Sequence, residues 1–400
     1  MKKGWKTKTL EEACQFSNGL WKGEKPPFVN VGVIRNTNFT KEGTLDDSDI
    51  AYLDVEAKKL EKRRLQFGDI ILEKSGGGPK QPVGRVALFD KDEGDFSFSN
   101  FTAALRVLEP ADLDFRFLHK FLHWTYVSGV TEGMQSNSTG IRNLDGDAYK
   151  AIEITYPPLA EQQRIVGLLD EAFEGLATAT ANAEKNLQNA RALFESHLQS
   201  VFTQRGPRWV EKPLGEIADL LDCLHKTPTY AESGFPMVRV TDINPGFLDL
   251  SKTRKVDEQT FIAFSKGRTP RVGDIVFSRV GSCGVSALVN SDEPFCLGQN
   301  TVFILPKMNL MLLYHFLNSP NAKEQFEGFI DGTTQPTISM KSIRQVAVPI
   351  APPAEHSRLV ASLDSMREET QDLARLYERK HAALEALKKS LLHQAFTGAL

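Results

Sequence analysis

The chain has little of what an enzyme, an exported protein or a metal protein carries. Its four cysteines, Cys14, Cys223, Cys283 and Cys296, are scattered and form no Cys-x-x-Cys pair. That argues against a zinc knuckle or a disulfide framework. No apolar run is long enough to span a bilayer, so no membrane role is expected. The start, Met1-Lys2-Lys3-Gly4-Trp5, is basic but runs into no apolar signal core, which makes the cytoplasm the expected location. A basic excess is missing too: 48 Lys and Arg face 51 Asp and Glu, for a formal net charge of −3. Nucleic-acid binding usually leaves a basic footprint, so any such footprint here must be a local strip.

Catalytic signatures are equally scarce. The glycine run Gly76-Gly77-Gly78 continues into Pro79-Lys80-Gln81 and is no phosphate-binding P-loop. Tyr156-Pro157-Pro158-Leu159 lacks the Asn or Asp and the aromatic residue that flank the prolines of an adenine methyltransferase motif. Glu-x-Lys tripeptides, found in some nuclease sites, occur at Glu56-Ala57-Lys58 and Glu378-Arg379-Lys380, and neither is matched in the other half of the chain. His119 and His123 sit four apart on a helix face and could ligate a metal. Their counterparts by repeat are Tyr314 and Asn318, so packed or solvated rings are the better reading. The expectation is a binding and scaffolding protein with no catalytic residue and no metal site.

What the chain does have is itself, twice. Trp5-Lys6-Thr7-Lys8-Thr9-Leu10 returns as Trp209-Val210-Glu211-Lys212-Pro213-Leu214, and Ile34-Arg35 as Val238-Arg239. Phe67-Gly68-Asp69-Ile70-Ile71 returns as Val272-Gly273-Asp274-Ile275-Val276. Glu161-Gln162-Gln163-Arg164-Ile165-Val166 matches Glu355-His356-Ser357-Arg358-Leu359-Val360. A period near 200 residues is too long for a solenoid and means a duplicated domain pair with approximate twofold symmetry.

Each half opens with short β-type runs, such as Phe28–Val31, Asp69–Leu72, Val86–Phe89, Ala103–Val107 and Asp274–Ser278, broken by Gly, Pro and Asn. One helix is expected in each, at Phe115 to Val127 and Leu310 to Leu317. The fold class is α+β, with strand-rich bodies. Each half then closes on a long helix that follows a pair of prolines. In the first, Val166, Leu169, Phe173, Leu176, Thr180, Ala183, Leu187, Ala190, Phe194, His197 and Val201 recur at steps of three and four. In the second the series is Leu359, Leu363, Met366, Thr370, Leu373, Tyr377, Lys380, Leu384, Leu387 and Leu391. Such a repeat marks a coiled coil, about 60 Å long for about 40 residues. The expected divisions are 1–155 globular, 156–206 helix, 207–350 globular and 351–400 helix. The two helices are expected to pair antiparallel.

Two divergent globular parts, each followed by Pro157-Pro158-Leu159-Ala160-Glu161-Gln162-Gln163-Arg164-Ile165-Val166 or Pro352-Pro353-Ala354-Glu355-His356-Ser357-Arg358-Leu359-Val360 and a long helix, resemble the specificity subunit of type I restriction-modification systems. Gly68-Asp69-Ile70 with Gly273-Asp274-Ile275 and the helix ends Phe202-Thr203 and Phe396-Thr397-Gly398 add to the match. One departure is His356-Ser357, where the family usually has Gln-Gln. The resemblance implies two target recognition domains related by pseudo-twofold symmetry. Each would read one half of an asymmetric bipartite site in double-stranded DNA, with the coiled coil setting the gap. It also implies two modification subunits that carry S-adenosylmethionine and methylate adenine N6. Two restriction subunits using ATP and Mg2+ would complete the complex, and no cofactor is expected on this chain.

The expected DNA contacts are loop residues with amide or cationic side chains near glycine, since Arg, Lys, Asn and Gln can pair with base edges. In the first half these are Arg35, Lys74, Ser75, Gly77, Lys80, Gln81, Arg85, Asn100 and Arg142. In the second they are Arg239, Arg268, Arg279, Ser282, Gln299, Asn300, Thr334 and Gln335. Arg35 with Arg239, and Asn100 with Asn300, recur between halves and fit a structural role or shared phosphate contacts equally well. A coiled-coil scaffold carrying two ligand-binding domains with no DNA role is the alternative that the weak net charge leaves open.

Overall fold

The structure is a computed structural model and describes residues 4–20, 23–78, 81–138, 141–265, 268–332 and 336–400. It divides into two compact units. One holds residues 1–183 and 379–400, the other residues 184–378. The dividing lines cut through both long helices, so each unit comprises a globular part and half of each helix.

The first unit is built on a four-stranded antiparallel sheet ordered Cys14–Asn18, Thr102–Val107, Ile70–Glu73, Val86–Leu88. Alternate residues of a strand face opposite sides of a sheet, and here both sides are covered. Ile70, Leu72, Val86 and Leu105 join one core, while Ile71, Ala87 and Ala104 join another. That explains why Ile70-Ile71-Leu72 reads as an unbroken apolar run. A second sheet, Ala51–Glu56, Phe28–Ile34, Phe96–Phe98, covers the outer side. On the other side lies the helix Phe115–Val127, started by Asp114, whose Oδ1 accepts from the N–H groups of Arg116 (2.8 Å) and Phe117 (3.1 Å).

The second unit repeats the plan. Its four-stranded sheet runs Ala218–Asp222, Thr301–Pro306, Ile275–Ser278, Ser286–Leu288. Ile275, Phe277 and Ile304 face one core; Val276, Ala287 and Phe303 face another. The helix Leu310–Leu317 begins at Asn309, whose side chain accepts from Leu312 N–H (3.1 Å). Both internal helices therefore span the expected residues.

The long helices are Leu159–Thr203 and Pro353–Thr397. In the first unit Ile165, Val166 and Leu169 from the start of one pack in the same core as Leu392 and Ala395 from the end of the other. In the second unit Leu198 and Phe202 share a core with Leu363. Within each unit the helix halves are antiparallel. Phe396 lies against Phe117, Phe121 and Trp124, with ring centroids 5.3, 5.6 and 5.7 Å apart.

The second seam differs from its expected course. Beyond Tyr377 the strict repeat predicts Lys380 and Leu387 inside, but both face solvent, and His381 and Lys388, each one residue on, are half-buried in their place, while Leu384 is half-buried as expected. An α-helix drifts by about 20° per heptad relative to a 3.5-residue repeat, so the contact stripe moves by one residue after a few heptads.

The helix-start motif has a specific job. Buried Gln162 donates from Nε2 to the carbonyls of Pro157 and Asp112 (2.8 Å each), and its Oε1 accepts from Asp114 N–H (2.8 Å). In the second copy His356 Nε2 meets the carbonyl of Ala351 at 2.8 Å, the residue equivalent to Pro157. The His for Gln departure thus preserves the bond to the carbonyl at the helix start.

Candidate nucleic-acid interface

In the first unit, strand Ile70–Glu73 ends at Lys74. The N–H groups of Lys74 and Ser75 both donate to the carbonyl of Phe101 (3.0 and 3.2 Å), and Leu144 N–H donates to the carbonyl of Lys74 (2.8 Å). These bonds set a small sheet, Gln135–Ser138, Ile141–Leu144, Ser75–Gly77, at the end of the main one. Ser75 Oγ donates to Asn143 Oδ1 (2.6 Å), Lys74 Nζ to Asn18 Oδ1 (2.9 Å), and Arg142 Nη1 reaches Gln135 Oε1 (3.4 Å). Phe101 is 44% exposed beside them. Lys74, Ser75, Gly77 and Arg142, with Asn100 in the turn before Phe101, therefore lie at one strand end, which also takes in Asn18, Phe101 and Asn143. The sequence reading missed those three. For Asn18 the signal existed, since it falls opposite Asp222 at the repeat offset. Gly77 serves the hairpin, because a Cβ there would lie 2.6 Å from the Gln81 carbonyl oxygen.

The second unit builds the same strand end differently. Arg279 N–H donates to the carbonyl of Asn300 (2.9 Å), which makes Arg279 the equivalent of Lys74 and Asn300 the equivalent of Phe101. Thr102 Oγ1 bonds to Ser99 O and Thr301 Oγ1 to Gly298 O (2.8 Å each), so Asn100 corresponds to Gln299. The expected pairing of Asn100 with Asn300 is off by one residue, because a sequence offset cannot register a one-residue difference in loop length. Asn300 adopts φ 67°, a left-handed conformation that asparagine tolerates better than most residues. Ser282 is exposed and Gln299 half-buried. Lys80, Thr334 and Gln335 lie outside the described residues.

Five of the candidate arginines are held by partners within their own unit. Arg85 donates from Nε and Nη2 to Glu73 (2.7 and 3.0 Å) and also to the carbonyl of Asn36 (3.0 Å). The Gln81 amide, turned with its oxygen toward this guanidinium, accepts from it at 3.1 Å. Arg279 Nη1 lies 2.9 Å from both Asp222 oxygens, and its Nε donates to Ile338 O (3.1 Å). Arg268 Nη2 grips both oxygens of Asp274 at 2.8 Å. Asp274 also accepts from Arg271 N–H (2.9 Å), as Asp69 does from Gln66 N–H (2.8 Å) while held by Arg106. The repeated Gly-Asp-Ile is thus a turn that launches the central strand, with Gly68 and Gly273 at φ 88° and 93°. Arg35 and Arg239 each open a 3-10 turn, their N–H groups bonded to Asn38 Oδ1 and Asp242 Oδ2 (2.9 Å each). Their guanidinium groups pair with Asp49 (2.9 Å) and Asp242 (2.8 Å).

The histidines of the metal question are packed. His119 and His123 lie within the first unit's fold, and burial, the largest cause, lowers their pKa to about 3 and about 4. Asp222, Cys223 and His225 converge in the second unit. Burial opposes the Asp222 charge, but bonds from His225 and Arg279 hold its pKa below the usual carboxylate value. Burial pushes the Cys223 thiol up. A carboxylate already neutralised by Arg279 beside a protonated thiol is a poor cation site. Among the described residues no helix is long and apolar enough to cross a membrane.

Two α+β units of one plan, each ending its central strand in a loop cluster and each packed on half of two long helices, define a tandem-domain binding protein. The chain belongs to the type I restriction modification DNA specificity domain family, whose model matches residues 2–188 and again 207–378. It is similar to the type I restriction enzyme EcoKI specificity subunit of Escherichia coli strain K12, at 24% identity over 94% of this chain and 82% of that protein. It also resembles the EcoBI specificity subunit of Escherichia coli, at 21% identity over 69% of this chain and 64% of that protein. A chain solved in a study of complex assembly and conformational transition of the type I R-M system superposes with a TM-score of 0.80 at 19% identity. That match covers 100% of this chain and 99% of the other. The HsdS subunit from Thermoanaerobacter tengcongensis gives a TM-score of 0.60 at 19% identity, over 100% and 98%.

Proposed function

We propose that each unit reads one half of an asymmetric bipartite site in double-stranded DNA and that the paired helices set the gap between the halves. The observation that carries this reading is the family match falling twice, once on each unit, while the strand-end clusters differ in side chains. Lys74, Ser75, Phe101 and Asn143 in one unit stand where Arg279, Val280, Asn300 and Thr337 stand in the other, so the half-sites should differ too. Amide and hydroxyl groups there suit base edges; the ion-paired arginines position the loops that carry them.

Chemistry is left to partners. We assign adenine-N6 methylation to two modification subunits that bind S-adenosylmethionine, and DNA cleavage to two restriction subunits that use ATP and Mg2+. This chain would hold no cofactor and supply specificity and docking surfaces. Base flipping by a partner requires a duplex held firmly on both sides of the target, which two readers joined by paired helices would provide.

Exchanging residues 1–155 for the matching segment of another specificity subunit tests the reading by methylation mapping. One half of the methylated site should change and the other should persist. A change in both halves, or in neither, would refute independent reading by the two units.

A further inference from the structure

We propose that Lys74 is the phosphate anchor of the first unit, and that the residue at the neighbouring strand end, Asn18 in one unit and Asp222 in the other, decides whether each unit's strand-end cation is open to DNA. This inference rests on the DNA-reading proposal and adds an electrostatic difference between the two readers.

The two positions are equivalent by backbone pairing. Asn18 lies opposite Ala103, and Asp222 opposite Val302. Lys74 and Arg279 each donate a backbone N–H to the carbonyl at the start of the next strand in the sheet. In the second unit the cation meets a carboxylate: Arg279 is 12% exposed and lies 2.9 Å from Asp222. In the first unit it meets a neutral amide, Lys74 Nζ lying 2.9 Å from Asn18 Oδ1. Among the described residues no carboxylate lies within ion-pairing distance of Lys74.

The surroundings reinforce the difference. A cavity of about 250 Å3 beside Lys74 is lined also by Ser17, Asn18, Tyr149 and Lys150. Its lining contains two lysines and no carboxylate. Among the described residues the ionic partners of Lys150 are distant, 3.9 Å to Glu11 and 3.8 Å to Asp147. Among the described residues the buried Tyr149 hydroxyl has no hydrogen-bond partner. Burial also holds the Lys74 pKa below its ordinary value, a penalty that an approaching anion would relieve. The carbonyl of Phe101 accepts from Lys74 and Ser75, and its exposed ring lies 3.8 Å from where a Cβ on Gly76 would stand. A cation without a counter-ion, beside a neutral amide, is the chemistry of a nucleic-acid backbone contact. The other unit carries the same cation closed.

The test uses the full chain assembled with its modification subunits, on a target duplex and an unrelated duplex, with affinity measured from 50 to 200 mM salt. Each phosphate contact contributes about 0.9 to the slope of log K against log salt. Asn18→Asp closes the first unit as Asp222 closes the second, so the slope should become shallower by about 0.9 on both duplexes. Over that fourfold salt range the variant then loses about 3.5-fold less affinity than the parent. Lys74→Met should give the same change and serves if Asn18→Asp fails to fold. Lys74→Arg should keep the parent slope, and Lys74→Arg with Asn18→Asp, which rebuilds the second unit's closed pair, should lose it. An unchanged slope in Asn18→Asp and Lys74→Met overturns the proposal. So does a loss confined to the target duplex, which would make Lys74 a base contact. If the parent complex itself prefers no sequence, the DNA-reading proposal fails instead.

Discussion

Replacing Arg85 by alanine strands a carboxylate. Glu73 is 2% exposed and takes two bonds from Arg85, at 2.7 and 3.0 Å; among the described residues Asn36 Nδ2, at 3.1 Å, is the side-chain donor that remains. The carbonyls of Asn36 and Phe39 lose their guanidinium donor as well. Removing one partner of a buried pair costs about 3–5 kcal/mol, most of it the uncompensated charge left behind. At ~2–4 °C per kcal/mol for a unit of this size, the first unit should melt ~6–20 °C lower. The second unit shows how to repair the damage. By backbone pairing Ser278 stands where Glu73 does and Val285 where Arg85 does, a neutral solution to the same packing problem. Glu73→Ser with Arg85→Val should therefore recover most of the lost stability, as replaced buried pairs often do. Thermal unfolding followed by near-UV circular dichroism reads both variants. Arg85→Ala melting with the parent while weakening the salt dependence of DNA binding would refute the reasoning and return Arg85 to the DNA surface.

The first unit should be acid-labile through its buried histidines. With folded values near 3 for His119 and 4 for His123 against 6.5 when free, the unfolded chain binds these protons first. Their stabilisation is full above pH 6.5 and falls below it by up to about 1.4 kcal/mol per pH unit for each ring. Lys120 and Lys388 add to the shift at His123 and Glu42 opposes it. Urea midpoints between pH 7 and 4.5 measure the fall, and His119→Gln with His123→Gln should flatten it; an equal fall in that variant would count against the account. Inserting one heptad after Ala183 and a matching one after Glu378 lengthens the rod by about 10 Å at ~1.5 Å per residue. Methylation mapping should then show the gap growing by up to about three base pairs at ~3.4 Å each, with the half-sites unchanged. An unchanged gap would take the ruler role away from the helices. The chain alone, given S-adenosylmethionine and duplex DNA, should transfer no methyl groups; any transfer would place catalysis here.

Periodicity carried most of the fold. The helices 115–127 and 310–317 and the two long helices follow from apolar spacing, capping residues and prolines, all local signals. The seam beyond Tyr377 did not, because a heptad read from letters has no helical drift in it. The loop clusters were legible as places, since strand ends near glycine are where side chains escape the core. The state of each side chain was not. Arg85 and Glu73 are twelve residues apart, but Arg279 and Asp222 are fifty-seven apart, and no local pattern says which arginine already has a carboxylate waiting. The one-residue slip between Asn100 and Asn300 has the same origin: equivalence is decided by hydrogen bonds across a sheet. The repeat itself offered one unused clue, Asn18 opposite Asp222.

The first unit is discontinuous in the chain, closed by residues 379–400, and this bears on how the protein is made. Leu392, Ala395 and Phe396 fill a core whose other members are translated first. Nearly two hundred residues separate the two segments, so at ~5–20 residues per second the early segment waits roughly 10–40 s on the ribosome for its last pieces. During that time Phe117, Phe121 and Trp124 have no Phe396 to cover them. A chain cut before Arg379 lacks the segment that closes this core. The topology therefore defers completion of the first domain until a segment encoded nearly two hundred residues later has been made.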